Sequence, residues 1–327
     1  MKAGKTGVVL MSYGTPSEIA DVEPYYQRIR GGHGGHGPTP EQVKELADRY
    51  RAIGGRTPLL DITQRAALAL EEILNAPSQR AFRVYVGMKF WHPLIGDTVR
   101  QMVADGVTHI IGLALAPHFS EMSTGGYRSA IEDALRDLPN PPTCTIVESW
   151  HGNPLFIQFM AKRVKNALAQ FPASERDNVQ VMFSAHSLPK RIQQWGDPYP
   201  DELHKSCEAV AAAAGLPGWK FTFQSAGRTR DPWLGPDILE TLGLTDFSDK
   251  AGVLMVPIGF VCDNLEILYD IDVQAQELAR NIGLVLRRTP MPNDDPEFIA
   301  ALADIVVNGT GTRMGILGAP AGDKATH

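Results

Sequence analysis

Short apolar runs alternate along this chain with longer segments of mixed, amphipathic character. The apolar runs predict strands at 8–12, 82–86, 108–115, 144–148, 179–184, 220–224 and 252–257. Helical periodicity predicts helices at 40–51, 63–74, 94–104, 126–137, 153–169, 200–214, 264–281 and 294–307. Strands that alternate with helices of this length imply βαβ units, and so an α/β fold built on mostly parallel sheets.

Two of these strands run into polar side chains. Val179-Gln-Val-Met-Phe-Ser-Ala-His186 ends on an imidazole, and Gly252–Glu266 delivers a carboxylate at the start of a helix. Open α/β sheets bind ligands beyond the C-terminal ends of their strands. His186 and Glu266 are therefore the first candidates for a shared site. Val8-Val-Leu-Met-Ser-Tyr13-Gly-Thr-Pro16 is similar to Val181–Pro189, and Ile110–Phe119 to Val253–Phe260. This weak repeat predicts two similar doubly wound halves facing a cleft, with Tyr13 in the place of His186. Chance likeness between apolar strands is the competing explanation.

Asp263, Glu266 and Asp270 fall at i, i+3 and i+7, one face of a helix, among apolar Leu265, Ile267 and Leu268. Such a row can bind a divalent cation or pass protons; the plain alternative is a solvated acidic face. Arg28 and Arg30 lie beside Tyr25 and Tyr26, which suits a planar ligand bearing carboxylates or an ordinary surface helix.

Composition narrows the classes. The 327 residues are enough for two domains, and net charge −6 without a basic block disfavours nucleic acid. No apolar run reaches the ~20 residues of a membrane span, and no secretory leader is visible, so a cytoplasmic protein is expected. Cys144, Cys207 and Cys262 are far apart and form no C-x-x-C pair, which leaves structural thiols as the reading. G-x-x-x-x-G-K-[ST], G-x-G-x-x-G after the first strand, and G-x-S-x-G are all missing, so no nucleotide or serine-hydrolase signature accompanies the fold. His33 and His36 in the glycine loop 31–37 read as a mobile polar segment in preference to a metal pair. A flexible tail is expected from Gly309 onward.

A set of motifs in one order carries a resemblance. They are Val9–Pro16, Arg49–Leu59, Gly87–Pro93, Leu115–Ser120, Ser184–Pro189, Gly196–Pro200, Gln224-Ser225, Pro232–Pro236 and Pro257–Asp270. Over residues 7 to 307 the chain resembles the ferrochelatases. The resemblance implies insertion of Fe²⁺ into a porphyrin with release of two protons, in haem biosynthesis. It implies two Rossmann-like domains of the class II chelatase type with the porphyrin in the cleft: 1–145, 146–285, a helix 286–308 returning to the first domain, and a tail 309–327. It also implies His186 and Glu266 as catalytic residues, with His186, Glu266 and Tyr13 near the metal and Asp270 outside them. Tyr13, Arg28, Arg30, Arg56, Thr57, Lys89 and Tyr127 are implied to bind the porphyrin. No tightly bound cofactor and no iron–sulfur cluster are expected, iron being a substrate.

The polar loop after Arg30 and the tail without cysteine resemble the soluble bacterial type that metallates coproporphyrin III, a tetracarboxylate. The protoporphyrin IX enzyme is the alternative. A chelatase for another tetrapyrrole or metal and a tetrapyrrole carrier are further rivals; a carrier needs no proton acceptor such as the His186/Glu266 pair. A monomer in transient contact with neighbouring haem-pathway enzymes is expected. Three positions depart from relatives: Asn264 in place of a histidine, Gln274 in place of a carboxylate, and Phe90 in place of an outer histidine. These put the outer relay in doubt and leave the inner pair intact.

Overall fold

The computed structural model describes residues 5–31, 37–76, 82–136, 138–227 and 231–317. Two sheets organise it. The first contains β1 (Lys5–Ser12), β2 (Phe82–Met88), β3 (Val107–Ala114), β4 (Thr143–Ser149) and β9 (Arg313–Leu317), in the order β2-β1-β3-β4-β9. The second contains β5 (Val179–His186), β6 (Lys220–Gln224), β7 (Gly252–Pro257) and β8 (Leu286–Arg288), in the order β6-β5-β7-β8. All described pairings are parallel except β4 with β9.

The two sheets share one winding. Each starts at a central strand, adds the next strand on one side, and then adds the following two on the other. The order therefore reverses between β1 and β3 in one sheet and between β5 and β7 in the other. Ligand-binding crevices open at such reversals. Tyr13 leaves β1 and His186 closes β5, so the two residues occupy equivalent switch points, as the weak repeat predicts.

The central strands are apolar throughout because helices cover both sheet faces. Val8 to Met11 and Val253 to Val256 are fully buried. One continuous apolar cluster runs from Val8 and Leu10 through Trp150 and Phe156 to Phe183 and Val256, so the halves share a core. The helix Pro296–Asn308, with Asp295 as N-cap, packs on the helices Leu59–Asn75 and Pro154–Leu168. Arg65 pairs with Asp294 at 2.5 Å and Arg163 with Asp295 at 2.9 Å across that junction.

Seven predicted strands and the eight predicted helical segments fall on observed elements. The strand β9 corrects the expected flexible tail: residues 313–317 form an antiparallel edge on β4. Arg313 holds it there, donating to Glu148 at 2.9 Å and lying 4.0 Å from the centre of the Phe119 ring. His33 and His36, and residues 318–327, lie outside the described residues. The helix Val22–Gly31 carries Arg28 and Arg30; the short elements Ile238–Leu244 and Leu286–Arg288 fall below the length at which periodicity is readable.

Candidate active site

The His186 imidazole is half-buried, and its Nδ1 lies 2.5 Å from the Ser187 carbonyl oxygen. A carbonyl only accepts, so Nδ1 carries the proton and Nε2 keeps its lone pair. Backbone bonds fix this corner: Ser187 N–H donates to Gln224 O at 2.7 Å, and the Tyr199 hydroxyl donates to His186 O at 2.9 Å. Burial pushes the imidazole pKa down, partly offset by the Ser187 bond and the Asp270 carboxylate. The ring is neutral at pH 7 and ready to accept a proton.

Glu266 and Asp270 enter the same region on a π-helix, Glu266–Ala275, in which Gln276 N–H bonds Ile271 O five residues back. Asn264 caps its entry, its side-chain oxygen accepting from Ile267 N–H at 3.0 Å. This gives the departure from histidine a structural role. The Glu266 carbonyl accepts from Gln224 Nε2 at 3.1 Å, and Gln224 Oε1 accepts from Ser184 on β5 at 2.9 Å. One buried amide thus ties the π-helix to the strand that carries His186. Gly259 permits the same closeness, since a Cβ there would sit 2.6 Å from Ala185 Cβ.

Burial raises the Glu266 carboxyl pKa, with the Arg49 charge opposing it. Burial raises Asp270 to about 6, against a hydrogen bond from the Ser225 hydroxyl; Glu266 raises it further and Arg49 and His186 lower it. Arg49 Nη1 stands 3.9 Å from Asp270 Oδ1, and Ser225 adopts a left-handed φ of 63°. His186, Asp270 and Glu266 therefore sense one another within a single field, a pattern found at functional sites.

Tyr13 comes from the first half. Gly14 behind it has φ +101°, and a Cβ there would lie 2.9 Å from Trp91 N. Lys89 N–H and Phe90 N–H bond Ser12 O and Tyr13 O at 2.9 and 3.0 Å. The Tyr13 ring meets Phe90 at 4.8 Å and remains 41% exposed. Even so, the surrounding protein and the Glu266 carboxylate hold its phenol well above the usual range. Phe90 therefore packs on Tyr13 and offers no outer ligand.

The remaining expected residues divide. Lys89 donates to Ser123 O at 3.2 Å and lies over the Phe90 and Tyr127 rings at 5.0 and 5.3 Å. Burial pulls its pKa down to about 8. Tyr127 is buried and senses Glu266. Arg28 is exposed beside Trp91, Arg30 is half-buried and Arg56 is exposed. Thr57 is buried and its hydroxyl donates to Thr15 at 2.9 Å, so that hydroxyl shapes the Tyr13 loop. Asp263 does not join the acidic row: Arg288 and Asn293 hold it at 3.1 and 2.7 Å. Among the described residues no three His, Cys, Asp or Glu side chains cluster as a metal site. Gln224, Arg49 and Ser225 had no assigned role in the sequence reading; only their place in shared motifs signalled them.

The raised Asp270 pKa has a stability consequence. The protonated carboxyl favours the fold, a contribution complete below the unfolded value of 3.8 and lost as pH rises through about 6. Asp270→Asn stays neutral at every pH. Urea unfolding should show it gaining on the wild type across that window, by up to about 3 kcal/mol. A pH-independent difference would contradict the burial of a charge there.

The Ferrochelatase family model matches residues 5–310. A ferrochelatase from Herpetosiphon aurantiacus is 50% identical over 304 residues, 93% of this chain and 99% of the relative. The coproporphyrin III ferrochelatase of Bacillus subtilis is 42% identical over 95% of this chain and all (100%) of its own length. That of Bacillus pumilus is also 42% identical, over 94% of this chain and 98% of its own. Among solved structures, SirB from Bacillus subtilis with Fe³⁺ superposes with a TM-score of 0.53 at 13% identity, over 92% of this chain and 94% of that one. That last likeness bears on the fold alone, a two-sheet α/β chelatase architecture. The sequence relatives reach further, and the chain belongs to the ferrochelatase family.

Proposed function

We propose that this ferrochelatase inserts Fe²⁺ into coproporphyrin III, with protoporphyrin IX as the poorer substrate. The observation that carries the chemistry is the neutral His186 imidazole, with Nε2 unspent, beside the raised carboxyls of Glu266 and Asp270. Insertion forms four metal–nitrogen bonds and releases the two pyrrole protons. His186 Nε2 accepts one proton, and Glu266, with its raised pKa, suits the second. Asp270, raised to about 6 and facing the fixed positive charge of Arg49, can take up a proton and release it to solvent. Tyr13 approaches the metal from the other half as a neutral phenol.

The substrate preference rests on relatives and on charge. Two relatives at 42% identity are coproporphyrin III ferrochelatases, while the relative at 50% is named ferrochelatase only. Arg28, Arg30 and Arg56 sit on the segments that support the Tyr13 loop, where guanidinium groups can clamp carboxylates bidentately. Lys89 adds a cation against Tyr127. A tetracarboxylate uses more of these cations than a dicarboxylate does. The proposed working form is a cytoplasmic monomer with no resident cofactor or iron–sulfur cluster, meeting neighbouring haem-pathway enzymes transiently. Among the described residues no helix is long and apolar enough to cross a membrane.

Anaerobic Fe²⁺ insertion without detergent, run in parallel on both porphyrins, tests the preference. Clear turnover of coproporphyrin III and little of protoporphyrin IX is expected; equal turnover would remove the preference. In the same assay His186→Ala should lose at least ~100-fold in rate, the scale of a general base, while porphyrin binding by absorbance titration survives. Retained turnover would make the imidazole structural.

A further inference from the structure

Arg288 lies outside the acidic site yet binds both ends of the segment that builds it. Its Nε and Nη2 donate to the two Asp272 oxygens at 2.7 Å each, and Nη2 also donates to Asp263 Oδ1 at 3.1 Å. Its side chain is only 17% exposed. Asn293 closes the other side of Asp263, donating from Nδ2 to Oδ2 at 2.7 Å and accepting from Asp263 N–H at 2.9 Å. Asn293 holds a left-handed φ of 53° to do so, a conformation asparagine tolerates better than most residues. Two half-buried carboxylates thus share one guanidinium whose planar fork fits them.

The spacing gives this clamp its meaning. Asp263 just precedes the first turn, and Asp272 follows it by nine residues. Asp263 lies in the loop that leads into the helix and Asp272 lies inside the π-helix Glu266–Ala275. A single guanidinium therefore ties the incoming loop to the body of the helix and fixes the stretch between them that carries Glu266 and Asp270. The π-helical winding sets where Asp270 stands relative to Glu266, toward Ser225 and Arg49.

We propose that Arg288 is a positioning residue, whose bridge from Asp263 to Asp272 holds the π-helix in the winding that aims Glu266 and Asp270 at the reacting porphyrin. The activity arm of its test rests on the proposed porphyrin reading; the exchange arm does not. Hydrogen exchange of the unliganded Arg288→Ala protein should rise at amides 266–275 and stay at wild-type levels in β5 and β7. Asp272→Asn, which keeps the Asp263 contact, should show a smaller rise and serves if Arg288→Ala does not fold. With the porphyrin that the wild type metallates, insertion should fall ~10–100-fold, the scale of about an ångström's misplacement of a reacting group. Porphyrin affinity should stay within about threefold, since only an interaction of the transition state is lost. Unchanged exchange at 266–275, or unchanged turnover with raised exchange, would overturn the proposal. A wild type that metallates no porphyrin would remove the functional reading and leave the exchange result to decide the clamp.

Discussion

The hydrogen bond between His186 Nδ1 and the Ser187 carbonyl decides what the site can do. It places the one ring proton on Nδ1 and leaves the Nε2 lone pair free to accept another. Everything around it serves to keep that geometry. Gln224 holds the Ser187 amide and the Glu266 carbonyl, so the strand that carries the imidazole and the helix that carries the carboxylates cannot move independently. Tyr199 closes the corner from the helix after Gly196-Asp-Pro. Burial then keeps the ring uncharged, which a proton acceptor near pH 7 requires.

Two carboxylates held largely out of water in one electrostatic field are costly if both are fully ionised. The protein meets this with one cation, Arg49, set at 3.9 Å from Asp270, and with the Ser225 hydroxyl. The compensation is incomplete, and both carboxyl pKa values remain above their ordinary values. An incompletely compensated carboxylate is poised to take a proton, so the electrostatic cost to the fold and the proton-accepting capacity of the site have one origin.

Much of this was legible in the chain. The apolar runs locate seven strands, and the strand ends point to Tyr13, His186 and Glu266. The doubled strand order explains why: a repeated winding puts the same positions at the same crevice. The acidic stripe was legible only in part. A 3.6-residue periodicity aligns Asp263 with Glu266 and Asp270, but Asp263 lies in the loop before the π-helix and turns to Arg288, a partner 25 residues away in sequence. Local spacing carries no information about such a partner. The edge strand 313–317 was hidden for a similar reason: Gly-Ile-Leu after a glycine-rich turn reads as tail until β4 supplies its hydrogen bonds and Glu148 holds Arg313. Thr57 carried a motif signal for substrate contact, while its hydroxyl is engaged with Thr15 inside the Tyr13 loop.

The central claim is that His186 stands neutral with its proton on Nδ1 at physiological pH. Nitrogen-15 NMR of the imidazole side chains, with His186 assigned by its loss in a substituted variant, reads this directly. The account predicts a protonated Nδ1 and an unprotonated Nε2 at pH 7, with conversion to imidazolium only below the ordinary histidine range near 6.5. A proton resident on Nε2, or a ring already cationic at pH 7, would contradict it.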